Sequence, residues 1–120
     1  LLRERGIYTG IVTDGLHTVQ KIKVSALHLI DLVNIVVYTD EFGKEYWKPN
    51  PFAFRYVIDK FKLAPQQALY VGNDPTKDFI GPRQIGMMSI HIHRKPLTTE
   101  CRCEADFHID NLTRLIDLIN

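Results

Sequence analysis

The amino-acid sequence predicts an α/β fold in which a mostly parallel sheet is covered by helices on both faces. Four short apolar runs rich in β-branched and aromatic residues alternate with stretches of helical periodicity. Each apolar run is nearly continuous and is bounded by Gly, Asp or Asn, which is typical of strands buried on both faces. Because 120 residues is an ordinary length for one domain, we predict a single three-layer α/β/α domain spanning residues 1–120.

The predicted elements follow one another in the order of βαβ units. The strands are predicted at residues 7–13, 34–39, 68–72 and 87–93. The helices are predicted at residues 17–31, 51–62 and about 76–85, with a last helix capped by Asp110. Asn50 and Pro51 are typical of a helix start. The first helix is expected to bury one apolar face, formed by Val19, Ile22, Ala26, Leu27 and Ile30.

Composition excludes several classes of protein. A net charge of +1 and the lack of a Lys/Arg block give no sign of nucleic-acid binding. No apolar stretch approaches the roughly 18 residues that predict a membrane span. The opening LLRERG resembles the end of a helix and not a signal peptide, so we expect a segment to be missing before Leu1. Cys101 and Cys103 are too close in sequence for an ordinary structural disulfide, so we expect a cytoplasmic protein.

Polar residues follow three of the predicted strands at their carboxyl ends, where ligands bind in parallel sheets. These positions are residues 13–15, 39–41 and 72–74, and Lys48 lies in a loop that could reach the same edge. Thr13 with the backbone amides of Asp14 and Gly15 could cradle a phosphate, and Lys48 could neutralise its charge. Taken singly, a helix-capping Thr and a solvated loop Lys are the commoner interpretations.

Asp74 and Asp78 predict a cation site after the third strand. If residues 75–78 form a first helical turn, both carboxylates face the same end of the sheet. Magnesium commonly takes one or two carboxylates and keeps several waters. Helix capping by the same two residues is the alternative.

Three ordered segments resemble the haloacid dehalogenase-like (HAD) hydrolase superfamily. They are GIVTDG with Thr13, DEFGKEYWKPNP with Lys48, and YVGNDPTKDFIG with the acids. GMMSIHIHR and ADFHIDNLTRLIDLI resemble the later strands and last helix, so that the resemblance covers nearly all of the chain. It implies a Rossmann-like core and magnesium-dependent hydrolysis of a small phosphorylated substrate.

The resemblance assigns roles to individual residues. Thr13 would bind a phosphate oxygen, Lys48 would neutralise phosphate and nucleophile charge, and Asp74 and Asp78 would hold Mg²⁺. Many family members read Gly-Asp-Asn-Pro where this chain has Gly-Asn-Asp-Pro, so Asn73 takes the usual position of the first acid. We expect Asp74 to be the main ligand, with Asn73 as the alternative.

No Asp-x-Asp occurs in the sequence, although this motif supplies the family's aspartate nucleophile on the central strand. We therefore expect an incomplete core, a fragment of a HAD-like phosphatase that is inactive by itself. Strand exchange or a homo-oligomer could fill the missing strand's place. A non-catalytic phosphate- or metal-binding or interaction domain is the alternative function. A flavodoxin- or receiver-like binding domain would not explain Lys48.

Two histidines and two cysteines raise the further hypothesis of a zinc site. His91 and His93 are two residues apart, as are Cys101 and Cys103. Such spacing in both pairs is unusual for zinc ligands, so packed histidines and free thiols are the favoured interpretation.

Overall fold

The computed structural model describes residues 1–94 and 104–119. The chain divides into two compact units, an N-terminal unit at Leu1–Leu63 and a C-terminal unit at Ala64–Asn120. Each unit contains its own parallel sheet with helices, which confirms the predicted mixed helix–strand fold with parallel pairing. The assignment of residues 1–120 to a single domain stays a prediction.

The N-terminal unit is built on two parallel strands. In chain order its regular elements are β1 (Gly10–Thr13), α1 (His17–Ala26), β2 (Ile35–Tyr38) and α2 (Phe52–Lys60). The strands pair in register from Gly10 opposite Ile35 to Thr13 opposite Tyr38. Thr13 therefore ends β1 beside the residue that ends β2, as the sequence predicts for a parallel pair.

Helix α2 packs against both β1 and β2. It begins where predicted, because the side-chain oxygen of Asn50 accepts a hydrogen bond from the backbone N–H of Phe52 at 2.9 Å. Ala53, Phe54 and Ile58 on its inner face are buried, and so is Val37 of β2. This periodic apolar face provides the core of the unit.

The burial predicted for α1 is wrong. Four apolar side chains of its predicted inner face are exposed, namely Val19, Ile22, Leu27 and Ile30, and Val24 is the buried residue of the helix. The helix also ends at Ala26, and a separate 3-10 turn follows at Leu29–Asp31. Helix α1 contacts chiefly this turn and the 3-10 turn at Thr39–Phe42, so most of its apolar side chains are not buried by other elements.

The C-terminal unit contains a three-stranded parallel sheet. Its elements are β3 (Leu69–Gly72), α3 (Ile80–Ile85), β4 (Met88–Ile92), β5 (Phe107–Ile109) and α4 (Arg114–Ile119). The strand order is β3-β4-β5, so β3 is an edge strand of this sheet as β1 is of the other. Phe79, Ile90 and Ile109 are buried in this unit.

Two predicted helix starts need correction. Helix α3 begins at Ile80, whereas residues 75–77 form a separate turn in which the Asp78 N–H donates to the Asp74 carbonyl at 2.9 Å. Asp78 therefore lies before the helix and not in its first turn. Before α4, the side chain of Asn111, and not Asp110, accepts a backbone N–H, that of Thr113 at 2.9 Å.

No helix in the described part of the chain is both long and apolar enough to cross a bilayer.

Candidate functional site

Asp14, which directly follows β1, connects the end of that strand to residues that follow β2. Its Oδ1 accepts a hydrogen bond from the Thr39 hydroxyl at 2.7 Å and from the backbone N–H of Lys48 at 3.1 Å. The hydroxyl of Thr39, a fully buried residue, also lies 3.1 Å from the Thr13 carbonyl oxygen. We call residues 13–15 with Thr39 and Lys48 the Thr13 loop. The Asp14 carboxylate thus joins Thr39 and Lys48, and the Thr39 hydroxyl links them to Thr13.

Gln20 extends the Thr13 loop, and the sequence gave no prediction for it. The Thr13 hydroxyl donates to Gln20 Oε1 at 3.2 Å. Gly15 has a φ of +92°, and a Cβ on it would lie 2.9 Å from Gln20 Nε2. The positive φ favours glycine at this position, and a side chain there would also displace the flexible Gln20 amide. The sequence feature that could have indicated Gln20 is its position as a polar residue early in the helix that follows Thr13.

Asp40, at the end of the neighbouring strand, anchors a second set of hydrogen bonds. Its Oδ2 accepts the backbone N–H of His17 at 3.1 Å and lies 2.9 Å from His17 Nδ1. Its Oδ1 accepts the indole N–H of Trp47 at 3.3 Å. The hydrogen bonds from His17, first from its ring and then from its backbone, lower the pKa of Asp40. The carboxylate thereby links the start of α1 to the loop that carries Lys48.

In the C-terminal unit, Asp78 closes the turn that follows β3. We call residues 73–78 the acidic turn. The Asp78 side chain is buried, and its Oδ2 accepts the backbone N–H groups of Asn73 at 3.0 Å and Asp74 at 2.9 Å. Its Oδ1 lies 3.5 Å from the Tyr70 hydroxyl. A Cβ on Gly72 would lie only 2.6 Å from Asp78 Oδ2, so the glycine leaves room for this carboxylate at the strand end.

Asp74 has a different local role from Asp78. Its Oδ1 accepts the backbone N–H of Thr76 at 2.9 Å and the Thr76 hydroxyl at 2.6 Å. The acidic turn nevertheless presents only oxygen ligands from its side chains, those of Asn73, Asp74 and Asp78, within six consecutive residues. Such a set of oxygen donors fits a hard divalent cation. The magnesium roles of these residues stay predictions.

The cysteines of the hypothetical Cys/His zinc site, Cys101 and Cys103, lie outside the described residues. The histidines of that hypothesis, His91 and His93, are described and lie at the end of β4.

Comparison with known proteins decides the family. The sequence profile described as haloacid dehalogenase-like hydrolase matches residues 1–92, well over half of the chain. The chain belongs to the haloacid dehalogenase-like hydrolases. This finding confirms the resemblance carried by the Thr13, Lys48 and Asp74–Asp78 segments.

Relatives of this HAD-like chain include named phosphatases. It is 35% identical to a glyceraldehyde 3-phosphate phosphatase of Methanopyrus kandleri, over 98% of this chain and 52% of that protein. It is 28% identical to a phosphoserine phosphatase of Thermus thermophilus, over 92% of this chain and 43% of that protein. Among solved structures, a HAD phosphatase from Thermococcus onnurineus matches with a TM-score of 0.85 and 29% identity, over 99% of this chain and 53% of that one. The chain thus spans about half the length of these relatives.

Proposed function

We propose that this chain supplies phosphate- and magnesium-binding residues to a cytoplasmic, magnesium-dependent phosphomonoester phosphatase. The observation that carries the proposal is the buried carboxylate of Asp78, which two backbone amides hold against the strand end at Gly72. A buried carboxylate at this position provides a fixed negative charge in a turn of oxygen donors. The relation to named phosphatases supports the same reaction class.

In this proposal the Thr13 loop binds the phosphate. The Thr13 hydroxyl exchanges its Gln20 partner for a phosphate oxygen. The backbone amides of Asp14 and Gly15 add donors, and the Lys48 ammonium offsets charge on the phosphoryl group. Asp14 acts as a positioning residue, because its carboxylate fixes the backbone at Lys48.

The acidic turn holds the cation in this proposal. Asp78 and Asp74 provide carboxylate oxygens, and Asn73 offers a neutral amide oxygen. When bound, Mg²⁺ would offset the negative charge of the transferring phosphoryl group. Asp74 Oδ1 accepts two hydrogen bonds from Thr76, which hold this carboxylate in place within the turn.

The covalent step needs a residue that these 120 residues do not provide. The family resemblance implies an aspartyl-phosphate route, in which an Asp carboxylate oxygen attacks phosphorus and the alcohol leaves. No Asp-x-Asp is present, so we propose that a segment outside the chain supplies it and that residues 1–120 alone do not turn over. That segment, or a second copy by strand exchange, would supply the missing strand.

The proposed substrate is a small phosphomonoester, because the relatives are named for glyceraldehyde 3-phosphate and phosphoserine. The test is magnesium-dependent hydrolysis of p-nitrophenyl phosphate and of these two compounds by the whole gene product. Asp78→Ala should abolish turnover, whereas Asp117→Asn on α4 should leave it unchanged. Hydrolysis by residues 1–120 alone would contradict the missing-nucleophile argument, and an inactive whole gene product would rule out the phosphatase.

One observation favours the non-catalytic alternative. Both acids of the acidic turn serve its own backbone, Asp78 through two amides and Asp74 through Thr76. A turn stabilised in this way could persist in a domain that only binds phosphate or an interaction partner. Saturable binding of inorganic phosphate by an inactive whole gene product would favour this alternative over the enzyme.

A further inference from the structure

Three of the five histidines in the sequence converge on one face of the β3-β4-β5 sheet. His91 lies in β4, and His93 follows it two residues later, so both side chains point to the same side of the sheet. His108 of β5 is the direct register partner of His91. Strand alternation and parallel pairing therefore place all three imidazoles together, although His108 is far from the others in sequence.

The nitrogen atoms of this histidine cluster are close enough to share one metal ion. One ring nitrogen from each residue lies within 4.8 Å of the other two. His93 Nε2 and His108 Nδ1 are 2.8 Å apart, which places a single proton between them in the metal-free form. Zinc binds imidazole nitrogen at about 2.0–2.1 Å, so two tetrahedral ligands lie about 3.3 Å apart. To bind zinc, the nitrogens of His93 and His108 would separate by about 0.5 Å, and any pair nearer the 4.8 Å limit would close to about 3.3 Å.

The surroundings of His91 resemble those of a metal-binding histidine. The residue is buried, and its ring makes a hydrogen bond to the backbone of Asn73. Histidine ligands commonly donate one N–H to a backbone carbonyl, which fixes the ring while the other nitrogen binds the metal. Burial, followed by the neighbouring histidines, lowers the pKa of His91, and burial likewise lowers the pKa of His93. A lower pKa favours the neutral imidazole, which is the form that binds a metal ion.

We propose that His91, His93 and His108 form a binding site for Zn²⁺ or a similar late first-row divalent ion. Three imidazoles leave a fourth coordination position for water or an anion. The site is distinct from the acidic turn in its ligands, since imidazole selects Zn²⁺, Cu²⁺ or Ni²⁺ whereas carboxylates and water suit Mg²⁺. The inference does not depend on the phosphatase reaction. It also differs from the Cys/His hypothesis, because His108 replaces the cysteines.

The first test measures zinc affinity of the whole protein by competition with a chromophoric chelator in excess magnesium. We expect one zinc ion per chain bound by this cluster. His93→Ala or His108→Phe should weaken binding by more than the roughly 10- to 100-fold that loss of an outer-shell partner costs. The matched control is His28→Asn, which removes an exposed imidazole whose φ of +53° Asn tolerates. No saturable binding, or unchanged affinity in both cluster variants, would overturn the proposal.

The second test needs no variant and so is independent of misfolding. X-ray absorption of the zinc-loaded wild-type protein should show nitrogen scatterers at about 2.0–2.1 Å with the multiple-scattering pattern of imidazole. A first shell dominated by sulfur at about 2.3 Å would assign the metal to the cysteines and refute the three-histidine site.

Discussion

Replacing Asp78 with Ala should open the acidic turn. The substitution removes the acceptor of the Asn73 and Asp74 amides, and a hydrogen bond to a charged group contributes about 1.5–3 kcal/mol. Asn73 is exposed, so water recovers part of that loss at its amide. We therefore take the lower end for each bond and expect the local opening free energy to fall by about 3 kcal/mol. Asp78→Asn keeps one oxygen acceptor, and because a neutral bond is about half as strong, about half of that loss is expected.

The measurement is amide hydrogen exchange followed by NMR, read at residues 73 and 74. Asp78→Ala should accelerate exchange at these two amides by about 100-fold, as the expected free-energy loss implies. The carboxylate control is Asp117→Asn, which removes an exposed acid on α4 and should leave both amides unaffected. If protection at both amides survives Asp78→Ala, the carboxylate does not hold the turn, and the reasoning from its hydrogen bonds is refuted.

Three further predictions concern single residues. Thr39→Val keeps the side-chain shape but removes the hydroxyl that donates to Asp14, and should lower the free energy of unfolding by about 1.5–3 kcal/mol in urea titrations. An unchanged midpoint would contradict it. Gly72→Ala places a Cβ against the Asp78 carboxylate and should lower the free energy of unfolding by about 1–3 kcal/mol in the same assay. Calorimetry should also show weaker Mg²⁺ binding. Unchanged stability and Mg²⁺ affinity would contradict the predicted clash between this Cβ and Asp78. Because the pKa of Asp40 is lowered, its stabilising effect is complete above the unfolded value of about 3.9 and is lost as pH falls through the folded value. Thermal melts followed by circular dichroism should show a melting temperature that falls as the pH is lowered, and Asp40→Asn should make this fall smaller. A variant with the same dependence of melting temperature on pH as the wild type would contradict the prediction.

The strands and their carboxyl ends could be predicted from the sequence because their signals are local. Runs such as residues 34–39 and 68–72 contain enough β-branched and aromatic residues to predict strands, and observed β2 and β3 fall within them. Since parallel strands end at one edge, Thr13 and Asp14 could also be placed near the end of β2 without coordinates.

Side-chain burial and helix starts were predicted less accurately than the strands, because they depend on tertiary contacts. The apolar periodicity of α1 is present, yet Ile22 is 70% exposed. Periodicity identifies an apolar face but does not show what packs against it. Similarly, Pro75 is a common first helical residue, but the acidic turn places the start of α3 at Ile80.

The residues that contact the candidate site residues also could not be predicted from sequence spacing alone. The Thr13 hydroxyl bonds the side chain of Gln20, seven residues later, and this partner depends on how the loop and the start of α1 fold. The pairing of His91 with His108 requires the register of β4 against β5, which two short apolar runs do not specify. Sequence motifs predicted which residues matter, whereas the hydrogen-bond partners that position them required the fold.

The hydrogen bond between Trp47 and Asp40 has an optical consequence. Trp47 is the only tryptophan in the sequence, so indole emission excited near 295 nm arises from a single residue, in the N-terminal unit. The indole neighbours Lys48 in sequence, and its N–H is bonded to a carboxylate at the end of β2. Fluorescence of residues 1–120 can therefore test the anion binding that we propose for the Thr13 loop.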